Sequence, residues 1–467
     1  MGKRLLIPLA RLGDRRYAHT VVNPPQSAIS DQLLKKIADG SIHLGVVGMG
    51  YVGLPLALTF VERAKVRVTG FDVDQKKIDA LERGETYIMH MGADRVLQAR
   101  QSGLFDATAD FDRLSEPDAL MIAVPTPLTI QREPDMKYVI GTGEAVQKRL
   151  RAGQLIVLES TTYPGTTDEL LKDLLEQSGL ACGRDFLLAF SPEREDPGNR
   201  SFNTATIPKV VGGVTPEATE VAAALYARAL DRVVQVSSAR VAEATKLTEN
   251  IFRGVNIALV NELKVVYERM GIDVWDVLDA ASTKPFGFMR FNPGPGLGGH
   301  CIPLDPFYLT WKAREYGIST RFIELAGEVN VAMPRYVVDR LQDALNQREK
   351  PLKNSKVLVL GIAYKKNVDD IRESPAAEVI EMLLDRGAEV NYHDPHLGRF
   401  PSMRKHRIDL ASLPLEPAML EAQDAVLIIT DHDAVDYELI GRHARLVVDS
   451  RNAMARVTGP RARVVKA

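Results

Sequence analysis

The stretch "FNPGPGLGGHCIPLDPF", residues 291–307, gathers four glycines and four prolines around Cys301. The chain has 467 residues and one other cysteine, Cys182. A thiol in so bare a loop has room beside it for a ligand, because glycine lets the backbone approach closely. As a thiolate it is a strong nucleophile. It can add to an aldehyde to give a thiohemiacetal, and removal of hydride from that adduct leaves a thioester for water to hydrolyse. These steps turn an alcohol into an acid in one site. A lone cysteine is more often a small core residue, but the polar, glycine-rich setting with Asp305 nearby argues for the reactive reading. Cys182 follows Gly179-Leu-Ala in a turn-like stretch and has no functional case.

Chemistry of this kind needs a hydride acceptor, and "IHLGVVGMGYVGLPLALTF" offers a place for one. An apolar strand at His43–Val47 runs into Gly48-Met49-Gly50-Tyr51-Val52-Gly53, then into a helical apolar run. In such a turn the first glycine permits the tight bend and the second lets a pyrophosphate reach the backbone, while the third lets helix pack on strand. A second strand, "VRVTGFDVD", carries Asp72, 24 residues after Gly48. An acid there accepts ribose hydroxyls and repels a 2′-phosphate, so the expected cofactor is NAD rather than NADP. Further apolar runs alternate with helical stretches: "ALMIAVPTP", "LIVLESTT", "FLLAFSPER" and "RVVQVS". This is the rhythm of a parallel sheet covered by helices. Ligands collect at the carboxyl ends of such strands, which gathers Thr126, Ser160, Thr161 and Glu193 at one crevice. Taken singly, Ser160 and Thr161 fit helix caps equally well, and Glu193 fits a surface acid.

From Ala239 to Gly271 the apolar residues recur at helical spacing, with Leu247, Ile251, Val255, Leu259 and Leu263 on one side. Lys246 and Asn250, four apart, share a face of this helix, as an ordinary solvated pair also would. A helix of this length often buries one side against another subunit, so a homodimer or larger assembly is expected. After "NQREKPLKNSK" the α/β rhythm resumes, but only Gly361 stands where a phosphate turn would be. A nucleotide pocket fits there and a second dinucleotide does not. Lys365, Arg372 and Arg451 lie at strand ends and suit phosphate oxygens.

The expected architecture is α/β, with two Rossmann-like, doubly wound parallel-sheet domains at 41–238 and 350–467. An all-α domain built on the long helix, 239–334, joins them and carries the cysteine loop. Residues 1–40 read as an extension outside the first domain, with one helix at Asp31–Ala38. A formal net charge of −2 leaves no basic footprint for nucleic acid. No apolar run is long enough for a membrane span, and the N-terminal one is broken by Pro8. Two cysteines form no disulfide framework, which points to a reducing, cytoplasmic setting. No metal is expected.

From about residue 42 to the C-terminus the chain resembles the UDP-glucose/GDP-mannose dehydrogenase family, the nucleotide-sugar 6-dehydrogenases. The matching segments, in the family's order, are "GVVGMGYVGLPLA", "ESTTYPGTT", "SPEREDPGN", "EATKLTEN", "GPGLGGHCIPLDP" and "DDIRESPA". "SPEREDPGN" is most similar to the bacterial UDP-N-acetyl-D-glucosamine 6-dehydrogenases of surface-polysaccharide synthesis; animal UDP-glucose enzymes have "PEFLAEG" there. The resemblance implies an NAD-dependent, four-electron oxidation of a UDP-sugar at its C6 hydroxyl. UDP-N-acetyl-D-glucosamine is the expected substrate, with UDP-glucose and UDP-N-acetylmannosamine as alternatives.

The resemblance also implies roles. Cys301 matches the nucleophile, and Lys246 and Asn250 match the pair that stabilises oxygen charge at C6. Asp305 and Thr161 match residues that position a water and assist proton transfer, and Glu193 matches the general acid/base of thioester hydrolysis. The cofactor would be held by the Gly48–Gly53 run and Asp72, with Lys77, Thr126 and Ser160, and by Arg372 from the C-terminal domain. Tyr364, Lys365 and Arg451 would hold the nucleotide and diphosphate of the UDP-sugar. Phe291, Asn292, Pro293, Gly294 and Gly296 would fold over the uridine. Pro197 stands where animal enzymes have a glutamate that contacts the cofactor, so no role carries over to it. Two other classes fit less well. A non-catalytic nucleotide-binding protein has no need of Cys301 and Lys246, and a two-electron hydroxyacid dehydrogenase has no use for Cys301 or a second α/β domain.

Overall fold

The computed structural model describes residues 28–88, 91–129, 133–194, 204–299, 302–401, 403 and 406–467. Its first half is organised by an eight-stranded sheet in the order β3-β2-β1-β4-β5-β6-β7-β8. The strands are His43–Val47 (β1), Arg67–Phe71 (β2), Phe105–Thr108 (β3), Ala119–Ile122 (β4), Leu155–Leu158 (β5), Leu187–Phe190 (β6), Lys209–Gly213 (β7) and Val233–Gln235 (β8). Strands β4, β5 and β6 are buried along their whole length, because helices cover both faces of the sheet. That is why they read as unbroken apolar runs rather than alternating ones. All pairs are parallel except β6 with β7. An antiparallel neighbour needs no crossover helix, and the described parts of the connection, 191–194 and 204–208, contain none. Strands β3 and β7 have no counterpart among the expected runs.

The turn after β1 assigns each glycine its own steric task. Gly48 has φ +96°, and a Cβ there would lie 2.5 Å from the Ala123 carbonyl oxygen. A Cβ on Gly53 would lie 1.9 Å from the Gly48 carbonyl oxygen, whereas one on Gly50 would meet nothing within 4 Å. Two glycines therefore close the turn and the middle one leaves space above it.

A helix over Ala28–Asp39 begins one turn before the expected Asp31. It lies in the stretch expected to sit outside the first domain, yet it packs on the helix Pro216–Ala227. Leu33 and Ile37 join the core beside Leu44 and Val46, and Lys36 donates to Asp118 at 2.7 Å. Apolar residues at spacing four on an otherwise polar helix account for this docking.

The central part is a spine helix, Ala239–Arg269, crossed by a second long helix, Arg321–Asn346. The Ser238 hydroxyl caps the spine by accepting the Val241 N–H. The last part is a five-stranded parallel sheet, β10-β9-β11-β12-β13. It is built from Lys356–Leu360 (β9), Glu389–His393 (β10), Ala425–Ile428 (β11), Leu446–Asp449 (β12) and Arg463–Lys466 (β13). Its turn keeps the fold of the first one without its openness. Gly361 has φ +73°, and a Cβ on it would lie 2.2 Å from the Thr430 carbonyl oxygen. The acid after β10, Asp394, accepts the Ile362 N–H at 2.7 Å and is held by His432 Nε2 at 3.1 Å. Both side chains are fully buried, so no ribose can reach this carboxylate. Among the described residues no helix is long and apolar enough to cross a membrane.

Replacing Gly53 by Ala should force the turn open and cost about 1–3 kcal/mol, read as a lower Tm together with weaker NAD binding by calorimetry. An unchanged Tm would contradict the steric role given to this position.

Candidate active site

The first acid of the molecule is arranged differently from Asp394. Asp72 accepts the Met49 N–H on Oδ2 at 2.9 Å and the Asp74 N–H on Oδ1 at 2.9 Å. Lys77, expected as a cofactor contact, donates to Oδ2 at 2.9 Å. Among the described residues Oδ1 therefore keeps a lone pair for a ribose hydroxyl. Tyr87 donates its hydroxyl to the Met49 carbonyl and fixes the same turn from the other side. With open space over Gly50 and this acid at the rim, the residues fit a dinucleotide. Ser160 joins the ends of β4 and β5: its hydroxyl accepts the Val124 N–H at 3.0 Å and donates to the Val124 carbonyl at 2.8 Å. Thr126 is tied through its carbonyl to the Tyr308 hydroxyl at 2.6 Å, which docks the helix Asp305–Glu315 on the first domain.

Arg372 reaches this crevice from the last domain. Its guanidinium sits 4.5 Å from the centre of the Tyr51 ring, on the glycine turn, and is gripped by the Asp370 carboxylate at 2.6–3.0 Å. Its carbonyl accepts the Gly299 N–H at 3.0 Å. One residue thus touches the cofactor turn and the cysteine loop.

Cys301 itself, with His300, lies outside the described residues. Its flanks are well placed. Gly299 is bonded to Arg372, and Ile302 packs on Gly254 of the spine helix. Asp305 is 3% exposed and accepts the Asn250 side-chain N–H on Oδ2 at 2.6 Å. Lys246, one turn earlier on the spine, is also buried and close enough to act on the Asp305 charge. Burial raises the Asp305 carboxyl to about 7, against the opposing pull of Lys246 and Asn250. The expected trio of Lys246, Asn250 and Asp305 is therefore one cluster, and not a solvated helix face.

The loop carrying Thr161 is held to the same helix. Glu243, one turn before Lys246, accepts the Gly165 N–H at 2.7 Å, the Thr167 N–H at 2.9 Å and the Thr167 hydroxyl at 2.6 Å. Thr161 is half-buried at the head of that loop. Glu193 follows β6, and Lys209 donates to it at 3.3 Å. The next residue, Arg194, grips Glu249, the neighbour of Asn250, at 2.6 and 3.2 Å.

The expected sugar-nucleotide residues meet on the far side of the cysteine loop. A Cβ on Gly294 would lie 2.5 Å from an Arg451 guanidinium nitrogen, and the Gly294 N–H donates to Asn261 at 2.9 Å. Arg451 is anchored through its Nε to the Ile429 carbonyl at 3.0 Å. Gly298 and Gly299 lie against Tyr364, and Gly296 against Pro375 and the Asn330 carbonyl. Lys365 is half-buried on the same loop as Tyr364. Phe291 packs edge-on against Phe252 at 5.8 Å, Pro293 is buried, and Asn292 is exposed with its side chain bonded to Arg290. Cys182, by contrast, is a half-buried thiol pushed up to about 11 by burial, which makes it inert at neutral pH.

Several contributors were not anticipated. Asn261 stands eleven residues beyond Asn250, about three helical turns, so the spine's own period puts it on the site face. Asn330, which donates to the Gly254 carbonyl and accepts from Asn261, had no such signal. Nor did Glu159 and Lys209, whose partners are fixed only by the fold; Asp370 grips Arg372 only two residues on.

The chain matches family models along most of its length: the UDP-glucose/GDP-mannose dehydrogenase family NAD binding domain at 42–230, central domain at 240–332 and UDP binding domain at 358–456. It is 35% identical over 393 residues to a UDP-N-acetyl-D-glucosamine 6-dehydrogenase of Pseudomonas aeruginosa, covering 84% of this chain and 90% of that protein. It is equally, 35%, identical over 424 residues to an NDP-N-acetyl-D-galactosaminuronic acid dehydrogenase of Ralstonia solanacearum, covering 87% and 95%. Among solved structures, a UDP-D-ManNAc dehydrogenase of Pyrococcus horikoshii superposes with a TM-score of 0.82 at 31% identity, over 91% of this chain and 99% of that one. The fold and the cofactor crevice define an NAD-dependent nucleotide-sugar 6-dehydrogenase. The chain belongs to the UDP-glucose/GDP-mannose dehydrogenase family.

The raised Asp305 carboxyl has a consequence for stability. Folded, it holds its proton at a pH where the unfolded chain has lost it, so its contribution falls as pH rises from about 4 to about 7. The full loss is roughly 4 kcal/mol. D305N lacks this slope, so wild type should lose stability relative to D305N between about pH 4 and pH 7 in denaturant unfolding. A difference between the two that does not change with pH would refute the assignment.

Proposed function

We propose that this chain oxidises the C6 hydroxyl of UDP-N-acetyl-D-glucosamine to a carboxylate, supplying a uronic acid for surface-polysaccharide precursors. The observation that carries the reading is the meeting of Lys246, Asn250 and Asp305 in one buried cluster beside a glycine loop held from both sides. The motif "SPEREDPGN" and the Pseudomonas aeruginosa relative support the choice of sugar. NAD, when bound, supplies the hydride acceptor for both oxidations.

The chain's own groups carry the remaining steps. As its hydride departs, the C6 hydroxyl passes its proton through the water beside Asp305 to the Asp305 carboxylate, and Lys246 and Asn250 donate to the oxygen where negative charge builds. The Cys301 sulfur adds to the resulting aldehyde, and Lys246 and Asn250 hold the thiohemiacetal oxygen. Loss of a second hydride leaves the thioester. Water, held by Asp305 and Thr161, attacks its carbonyl carbon and gives a proton to Glu193. The C–S bond breaks and the thiolate is restored. Four electrons leave the sugar as two hydrides.

Incubation with UDP-N-acetyl-D-glucosamine, UDP-N-acetylmannosamine and UDP-glucose in parallel tests the reading. The expected result is two NADH per sugar, fastest with UDP-N-acetyl-D-glucosamine. One NADH per sugar would mean the aldehyde escapes, and full four-electron turnover by C301A would remove the thioester route altogether. A faster rate with UDP-N-acetylmannosamine or UDP-glucose would replace the sugar and leave the mechanism standing.

We also infer a homodimer through the spine helix. Phe252, Leu259 and Val266, seven residues apart, are 49%, 51% and 46% exposed, and Met270 continues the stripe. Such spacing marks one helical face, and an apolar face of this length is covered in most proteins. L259R combined with V266E should yield a monomer by sedimentation while wild type sediments as a dimer; a monomeric wild type would end this inference.

A further inference from the structure

Behind the reaction centre, in the first sheet, lies a group of buried ionisable side chains with more negative than positive charge. Lys209, the first residue of β7, places its ammonium 2.6 Å from Glu159 Oε2 and 3.3 Å from Glu193 Oε2. Glu159, the residue after β5, is fully buried, and its other oxygen accepts the Tyr226 hydroxyl. The Lys209 ammonium also lies 5.3 Å from the centre of the Tyr226 ring. A single ion pair would satisfy the lysine. A second carboxylate on the same ammonium adds desolvation cost with only half a partner in return, so the arrangement calls for a use.

We propose that Lys209 is a positioning residue for Glu193, and that Glu159 keeps Lys209 from neutralising Glu193 outright. This rests on Glu193 being the base of thioester hydrolysis. A base must be ionised before it acts and must still accept a proton. Lys209 holds one Glu193 oxygen in place and favours its ionised form. Glu159, closer and supported by Tyr226, takes the larger share of the ammonium's charge and leaves Glu193 basic. When water attacks the thioester, its oxygen bonds to the acyl carbon and its proton passes to Glu193, while sulfur leaves as thiolate. Among the described residues, the charged neighbours Arg194 and Glu249 pair with one another, and Arg194 also donates to the Pro208 carbonyl at 2.6 Å. Among the described residues, Ser191 is a further polar side chain facing Tyr226. Burial alone would lower the Lys209 pKa, but the two carboxylates reverse this and raise it, so the lysine stays charged through the working range.

The two partners have opposite effects on Glu193, and this makes the test specific. With NAD and the best of the three UDP-sugars, the acid limb of the kcat–pH profile reports the base. K209M removes the cation beside Glu193 and should move that limb up by about one pH unit or more. E159Q releases the whole ammonium to Glu193 and should move the limb down. K209R should keep it near wild type, with KM for sugar and NAD within about two-fold in all variants. Limbs that stay put, or that move the same way in K209M and E159Q, overturn the proposal. E193Q separates the two readings. If the limb survives in E193Q, Glu193 is not the base; if it vanishes there yet ignores Lys209 and Glu159, only the positioning role falls. Should either charge variant fail to fold, Y226F takes its place. Losing the hydroxyl withdraws support from the ionised Glu159 and loosens its hold on Lys209, so the limb should fall, and no shift would count against the proposal.

Discussion

The spine helix carries polar side chains on the face it buries, and buried polar groups must be paired. Glu243, Asn250, Asn261 and Lys264 stand on that face, each bonded to a different part of the chain. Glu243 takes the loop after β5, Asn250 takes Asp305, and Asn261 takes Gly294 of the cysteine loop. Lys264 reaches the Ala467 carbonyl beside β13. One helix thereby sets the register among the cofactor sheet, the cysteine loop and the sugar-nucleotide sheet. Leaving any of these groups unpaired would carry the full desolvation penalty, so the register is strongly specified.

The same arrangement accounts for the electrostatics. Burial lifts the carboxyls of both Glu243 and Asp305 to about 7. Burial also brings the Lys264 amine down to about 7. Two of these groups, Glu243 and Lys264, stand on the spine helix and the third, Asp305, packs against it through Asn250, because the polar face of that helix was drawn into the interior. Some of this is scaffold, as at Glu243, which ties down a loop. At Asp305 the same physics yields a carboxyl poised to gain or lose a proton near neutral pH.

What could be read from the sequence was local, and what could not was relational. The turn Gly48–Gly53, the spine helix and the apolar strands β1, β4, β5, β6 and β9 each declare themselves within a dozen residues. Strand β3 alternates buried and half-buried positions over only four residues, and β7 ends in two glycines, so neither offers a long apolar signal. The helix Ala28–Asp39 was visible, but its docking on Pro216–Ala227 joins segments nearly two hundred residues apart. Lys77 was expected at the cofactor and holds Asp72. Lys209 bridges acids that lie 50 and 16 residues away, and no periodicity encodes such a meeting. Strand-end position marked Arg372 and Arg451 only as cations suited to phosphate, and their specific roles, like that of Tyr364, came from resemblance.

The two sheets end their second strands in the same way, with an aspartate that accepts the N–H of the residue after a glycine. At Asp72 this bond leaves a lone pair over; at Asp394 His432 joins the turn N–H on Oδ2, and the His396 and Leu397 N–H groups take Oδ1. The carboxylate thus serves the turn in both sheets, whether or not it is open to a ribose. An aspartate at this point in a chain is evidence for the fold first and for a cofactor second. Searches for dinucleotide enzymes that weigh the acid heavily will therefore collect domains such as the last one here. What separates the two cases is what fills the rest of the carboxylate: His432 from the loop after β11, and the His396 and Leu397 N–H groups on Oδ1, none of them part of the fingerprint itself.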